Sequence, residues 1–246
     1  MLKADYIITE NRSIADGVYL MTLRGDTSAI KKAGQFADVA IEGYFLRRPL
    51  AVTEWDAEKF SMVYKVVGEG TAKMALMKEG ESLNVLTGLG NGWNAEAASS
   101  AALVVCGGIG ASPCFSLVKD LVGRGVKTTV VLGYNRACDI ILEQEYRALG
   151  AEVIVATMDG SRGIKGLVTD AIAQEKPEFD HFYTCGPKPM MKAVCDTLAD
   201  ASGEVSLEER MGCGCGICYG CTCHTTEGAR RVCADGPVFR KEEVIW

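Results

Sequence analysis

Six cysteines crowd one stretch near the end of the chain: Cys213-Gly-Cys215-Gly-Ile-Cys218-Tyr-Gly-Cys221, then Cys223 and, further on, Cys233. Four of them, Cys213, Cys218, Cys221 and Cys233, fall in the spacing C-x4-C-x2-C…C. That is the plant-type spacing for a [2Fe–2S] cluster, whose irons need four thiolates in a small volume. Glycines 212, 214, 216 and 220 fit the same chemistry. A loop wrapped round a cluster needs positive φ angles and N–H groups aimed at sulfur, and glycine supplies both at little steric cost. Cys215 and Cys223 fall outside the spacing and are spare. A zinc knuckle would use paired C-x2-4-C units, and only Cys218 with Cys221 forms such a pair without the spares. A disulfide knot needs an oxidising compartment.

Other stretches offer weaker chemistry. Gly107-Gly-Ile-Gly110-Ala-Ser-Pro113 is a glycine turn of the kind that meets dinucleotide phosphates between a strand and a helix. Pro113 stands where the full fingerprint has a third glycine, and the next strand closes on Gly133-Tyr-Asn-Arg136 without an acidic residue. Arg136 is placed to meet a 2′-phosphate. Gly70-Thr71 opens a helix, where free N–H groups and the dipole favour a diphosphate; an ordinary helix capped by Thr71 fits equally. Cys185-Gly-Pro187-Lys-Pro stands at the carboxyl end of a strand, the edge that holds ligands in open α/β sheets. Cys185 there is either a substrate contact or a small core residue. His181 reads as a satisfied core residue and His224 as a flank of the cysteine loop. Glu208-Glu-Arg210 reads as a solvated linker.

The elements that must position these residues fall into three sections. Residues 1–98 carry short apolar or alternating runs, Val18–Arg24, Gln35–Ile41, Arg48–Thr53 and Phe60–Val67, separated by turn residues. They predict a small antiparallel β-barrel, interrupted by a helix over Thr71–Lys78. Residues 99–204 alternate buried strands near 101–106, 128–132, 152–156 and 181–185 with helices ending near 122 and over 142–149, 166–174 and 190–201. That rhythm predicts a parallel, doubly wound sheet. Residues 205–246 form the cysteine module. The chain has 246 residues, 48% of them hydrophobic, enough for two ordinary domains and a small third one. A net charge of −6 argues against nucleic acid as a main partner. No run of 18 apolar residues is present, and the start, Met1-Leu-Lys-Ala-Asp-Tyr6, has no apolar signal core, so the expected setting is the cytoplasm. Eleven cysteines in such a chain point to metal chemistry rather than disulfides.

In order along the chain, these motifs resemble the ferredoxin–NAD(P) reductase superfamily and, within it, the electron-transfer subunits of dihydroorotate dehydrogenase B. The matching pieces are Gly34-Gln-Phe36, Arg47-Arg-Pro-Leu50, Val66–Thr71, Gly88–Gly92, Gly107–Pro113, Asp159–Gly163, Cys185–Met191 and Glu208–Cys213 through Asp235–Phe239. The resemblance implies that Arg48, Pro49, Leu50, Ala51, Val63, Tyr64, Lys65, Gly70 and Thr71 hold FAD. It implies that Gly108, Gly110, Cys185 and Pro187 line the NAD site, with Cys185 near the nicotinamide. It gives the [2Fe–2S] cluster to Cys213, Cys218, Cys221 and Cys233. Ala51 departs from the pattern, because the family usually has Ser or Thr there with a hydroxyl for flavin N5.

Nicotinamide exchanges hydride and a cluster exchanges single electrons, so a flavin must stand between them. The implied role is an oxidoreductase subunit in de novo pyrimidine biosynthesis. Electrons would pass from the FMN of a dihydroorotate-oxidising catalytic subunit through the cluster and FAD to NAD+, in a heterotetramer of two of each chain. The alternatives are the small subunit of an NADH-dependent ferredoxin:NADP oxidoreductase or of a sulfite reductase, whose ferredoxin:NADP form commonly has aspartate for one cysteine. A non-catalytic zinc-binding regulatory module is the alternative of a different class.

Overall fold

The computed structural model describes residues 1–246. The first section folds as one seven-stranded antiparallel sheet, curved into a half-barrel. Its strands are β1 (Leu2–Ala15), β2 (Val18–Arg24), β3 (Phe36–Val39), β4 (Arg48–Ala51), β5 (Glu54–Trp55), β6 (Lys59–Lys65) and β7 (Ser82–Leu89). They pair in the order β4-β3-β7-β1-β2-β6-β5. Alternation sorts the side chains. In β3, Ala37 and Val39 enter the half-barrel core with Tyr6, Met21, Phe60 and Val85, and Phe36 and Asp38 face the other way. The helix α1 (Glu69–Leu76) bridges β6 and β7.

The second section is a parallel sheet of β8 (Ala101–Gly107), β9 (Lys127–Tyr134), β10 (Glu152–Thr157), β11 (Ile164–Lys165), β12 (His181–Cys185) and β13 (Gly203–Ser206). Between them run α2 (Ala111–Gly123), α3 (Glu143–Ala148), α4 (Val168–Glu175) and α5 (Lys188–Thr197). The strands β8 and β12 are apolar on both faces because helices cover both faces. The order β11-β10-β9-β8-β12-β13 reverses direction between β8 and β12. Such a switch point opens a crevice at the carboxyl ends of the two strands, where ligands bind. In this chain those ends are Gly107-Gly108 and Cys185-Gly186-Pro187.

The last section adds a hairpin, β14 (Thr222–Thr225) and β15 (Gly228–Arg231), and a seventh strand to the parallel sheet. That strand, β16 (Val238–Arg240), pairs antiparallel with β13, Val205 opposite Phe239. The strand β13 therefore spans the 204/205 division expected from the sequence. Buried hydroxyls pin the half-barrel to the sheet: Thr53 Oγ1 and Ser112 Oγ lie 2.6 Å apart, and Ser116 Oγ donates to the Thr53 carbonyl. Trp93 Nε1 donates to the Pro113 carbonyl at 3.0 Å.

Two readings of the sequence need correction. The helix α1 is capped at Gly68, not at Thr71; Thr71 lies in its first turn, where its hydroxyl accepts from the N–H groups of Val67 and Gly68 at 3.0 and 3.2 Å. His181 is buried as expected but not satisfied, because its Nε2 has no hydrogen-bond partner. Glu208 is exposed in a segment without regular structure, as the sequence suggests, and it also lines the site described below. No helix is long and apolar enough to cross a membrane.

Candidate functional site

The cysteine loop presents its thiols in two couples. Cys213 hydrogen-bonds Cys218 and is also touched by the spare Cys215, and Cys221 hydrogen-bonds Cys233. The backbone converges on these four sulfurs. Gly216 N–H donates to Cys233 Sγ at 3.1 Å, Ile217 and Cys218 N–H to Cys213 Sγ at 3.3 and 3.4 Å, Gly220 N–H to Cys218 Sγ at 3.4 Å and Cys233 N–H to Cys221 Sγ at 3.4 Å. The glycines permit this: Gly214 and Gly216 take φ of +66° and +86°. Burial would raise the Cys213 thiol, but the N–H groups of Cys218, Cys215 and Ile217 outweigh it and bring it down to about 6. Burial and the neighbouring Cys221 thiol push Cys233 up to about 12. Two thiol couples fit a two-iron cluster, one couple to each iron. Of the spares, Cys223 packs in the core shared with the sheet and Cys215 does not.

Beneath the loop lies Asp38. A side chain on Gly214 would come within 2.6 Å of Asp38 Oδ2, so glycine is required there. Asp38 is 2% exposed and its Oδ1 has no partner. Burial pushes its carboxyl up to about 6 against the pull of Arg47, and Cys213 adds to the rise. Across the ladder from Asp38 stands Pro49 of β4.

On the same face of these strands is a cavity of about 280 Å³ between half-barrel and sheet, lined also by Phe36. Pro49, Leu50, Ala51, Val63, Tyr64 and Lys65 line it from β4 and β6, and Ile109, Ser112 and Cys185 from the sheet. Six of the residues expected at FAD thus share one wall. Arg48 and Gly70 stand together outside it. A Cβ on Gly70 would meet the Arg48 guanidinium at 2.4 Å, and that guanidinium lies 5.1 Å over the Tyr44 ring. A cation at a helix start fits a diphosphate. The Thr71 hydroxyl is already spent, accepting from the backbone of Val67 and Gly68 and donating to the Gly68 carbonyl. Ala51 leaves the cavity's hydroxyls to Ser112, Ser206 and Tyr64.

A second cavity, about 620 Å³, opens at the switch point. Gly107, Gly108, Gly186 and Pro187 form its floor, and it runs outward past Tyr134 to Arg136 and Asp139. Gly108 takes φ +55° with open space beside it. Gly110 does not line the cavity: it packs on β12, where a Cβ would lie 2.3 Å from the Cys185 carbonyl oxygen. Cys185 is buried, its thiol pushed up by that burial, and faces the smaller cavity.

Lys65, Ile109 and Glu208 line both cavities. Glu208 is solvent-exposed at the place where the two cavities meet, and the protein atoms crowded round it raise its carboxyl. Sequence reasoning passed over it, although Glu208–Cys213 was among the matching motifs. Its neighbour Glu209 forms an ion pair with Lys188 at the start of α5.

Comparison with known proteins agrees with this layout. Residues 208–245 match the family model of the iron–sulfur cluster binding domain of dihydroorotate dehydrogenase B, and residues 104–196 that of the oxidoreductase NAD-binding domain. The electron transfer subunit of dihydroorotate dehydrogenase B (NAD(+)) from Bacillus pumilus (strain SAFR-032) is 42% identical over 99% of this chain and 98% of its own. That from Bacillus caldolyticus is 43% identical over 97% and 96%. Among solved structures, one of an NADH-dependent reduced ferredoxin-NADP oxidoreductase superposes with a TM-score of 0.90 and 32% identity, covering 99% of this chain and 90% of that one. A ferredoxin NADP+ reductase from Neisseria gonorrhoeae with bound FAD and NADP shares the fold, with a TM-score of 0.69 at 18% identity over 80% and 91% of the two chains. The thiol couples, the two joined cavities and the likeness along the whole chain together place this protein in the family of dihydroorotate dehydrogenase B electron transfer subunits.

Proposed function

We propose that this chain is the oxidoreductase subunit that carries electrons from the FMN of a dihydroorotate-oxidising partner through a [2Fe–2S] cluster and FAD to NAD+, in pyrimidine biosynthesis. One observation carries the reading: the cavity walled by Pro49–Ala51 and Val63–Lys65 shares residues with the nucleotide cavity on one side and, on the other, lies on the same face of β3 and β4 as Asp38, against which the cysteine loop packs. When bound, the flavin supplies the exchange between two-electron and one-electron chemistry. The chain's residues supply the positions. Cys213, Cys218, Cys221 and Cys233 hold the cluster. Pro49 to Ala51 and Val63 to Lys65 wall the flavin ring, with Arg48 and the N–H groups around Gly70 and Thr71 on its diphosphate. Gly108 and Pro187 take the dinucleotide, Gly110 lets β8 and β12 close beneath it, and Cys185 and Glu208 stand where nicotinamide and flavin meet.

In this reading the chain has three working parts, 1–98 for FAD, 99–204 for NAD and 205–246 for the cluster, and two copies join two catalytic subunits in a heterotetramer in the cytoplasm. No orotate site is legible in the sequence, so the dihydroorotate reaction requires the partner. A second reading, as the small subunit of an NADH-dependent ferredoxin:NADP oxidoreductase, rests on the likeness of fold at 32% identity. The higher identity to the dihydroorotate dehydrogenase B subunits and four cysteine ligands without an aspartate favour the first. The test is anaerobic affinity purification from native cells, assayed for NADH formation from dihydroorotate. An FMN-containing subunit should co-purify with that activity. Recovery of a ferredoxin-linked partner, with dihydroorotate inert, would refute the pyrimidine assignment.

A further inference from the structure

The outer end of the larger cavity has a feature that phosphate and nicotinamide binding leave unused. In a doubly wound sheet the end of the second strand meets the adenosine ribose, where a carboxylate suits a free 2′-hydroxyl and an arginine suits a 2′-phosphate. Here β9 ends at Tyr134, and Arg136 and Asp139 follow it, both lining the cavity. The chain therefore carries both kinds of side chain, and they are bound to each other. Arg136 Nη2 donates to Asp139 Oδ1 at 3.0 Å, and its Nε and backbone N–H donate to Oδ2 at 3.3 and 3.2 Å. One edge of the guanidinium is thus taken by one carboxylate, in the two-pronged geometry that a phosphate would otherwise use.

The pairing is built in. Asp139 closes the 3-10 turn Ala137–Asp139, and Ala137 N–H donates to Ser161 Oγ at 2.8 Å, which ties that turn to the neighbouring loop. Asp16, from the turn between β1 and β2, lines the same cavity and faces Arg136 from the half-barrel side. Hydrogen bonds from Arg136 hold the Asp139 carboxyl below its usual range, so it is charged at neutral pH. The pair is not sealed away, with side chains 59% and 27% exposed. A ligand phosphate can reach it, but only by displacing one carboxylate and approaching a second.

We propose that Asp139 is a latch on Arg136: it occupies the guanidinium that a 2′-phosphate would need and, with Asp16, sets negative charge against that phosphate, so the chain selects the dinucleotide with a free 2′-hydroxyl. The inference rests on the larger cavity being the dinucleotide site. It gives Arg136 a meaning opposite to the one its position suggests, since the arginine is a latent 2′-phosphate site rather than an active one.

The test is calorimetric binding of two redox-inactive fragments, ADP-ribose and 2′-phospho-ADP-ribose, to the protein with its flavin and cluster in place. Asp139→Asn keeps the size and removes the charge. The ratio of the two dissociation constants should move at least about tenfold toward the phosphorylated fragment, the worth of one freed charge-assisted contact. Asp139→Ser, with a shorter side chain, should move it the same way, and the KM ratio for NADPH against NADH should follow. In the double variant Arg136→Ala, Asp139→Asn the gain should vanish. A ratio unmoved in both single variants would overturn the latch, and so would an equal gain in the double variant, which would reduce Asp139 to simple repulsion. Failure of the unaltered protein to bind ADP-ribose would instead refute the cavity assignment on which the latch stands.

Discussion

At the scale of single residues, the iron–sulfur module was the most legible part of the chain, and its four proposed ligands follow from spacing. Ligand spacing is a local property, and five N–H donors end on the four thiols that the spacing selects. The spares separate into a core residue, Cys223, and a more open one, Cys215, which touches the Cys213 thiol but lies outside the ligand spacing. Cys218→Ser should therefore abolish the visible and paramagnetic signature of the cluster while FAD stays bound, because the flavin cavity contains no residue of the cysteine loop between 212 and 233. Cys215→Ser should leave iron content and spectrum within about a tenth of the parent, since no ligand is removed. Iron analysis with electron paramagnetic resonance checks both, and loss of cluster in the Cys215 variant would reassign the ligands. Glu208 was illegible for a physical reason. Its significance comes from the meeting of two cavities, a tertiary fact that no spacing encodes. Asp38 is similar: its alternation in β3 marks it as facing away from the half-barrel core, but not what it faces.

At the scale of elements, strong periodicity was readable and polar strands were not. The buried strands β8 and β12 stood out because a short apolar run that ends in glycine is the mark of a strand covered on both faces. The long strand β1, Leu-Lys-Ala-Asp-Tyr-Ile-Ile-Thr-Glu-Asn-Arg-Ser-Ile-Ala, was missed. Its outer face is polar, and register shifts near Thr9 and Ile14 break its alternation. The start of α1 was misplaced by a similar ambiguity, because a threonine serves a first turn as well as a cap. Where the linker from the half-barrel enters the sheet, Asp180 accepts hydrogen bonds from the backbone and hydroxyls of Ser99 and Ser100 and fastens the start of β12 to that of β8. Burial opposes the charge, but these donors win and hold the carboxyl far below its ordinary value. A carboxyl so depressed stabilises the fold above its unfolded value and loses that contribution as pH falls toward the folded one. Asp180→Ala should cost about 1 kcal/mol near pH 7, a figure reduced for the exposure of the site. The deficit should shrink below about pH 4. Urea titrations at pH 7 and pH 3 check this, and an unchanged deficit at pH 3 would show that charge is not its source.

At the scale of the whole molecule, the three sections visible in the sequence share more than it suggested. The half-barrel has its own core, whereas Cys221, Cys223, Val232, Cys233 and Phe239 pack into one core with Leu103, Phe182 and Val194 of the sheet. Phe239→Ala should cost about 3 kcal/mol or more. It should lower the melting of sheet and cluster together, followed by far-ultraviolet circular dichroism and by visible absorbance; two separated transitions would show that the module is independent. The antiparallel strand β16 has one more consequence. Without it β13 is a bare sheet margin, a row of open N–H and C=O groups of the kind that recruits another chain. The segment that covers this margin is tethered through Cys233 to the metal loop. Iron supply during synthesis should thus bear on solubility: a chain without its metal is expected to hold this strand less firmly, and greater self-association of the metal-free protein in sedimentation would show it.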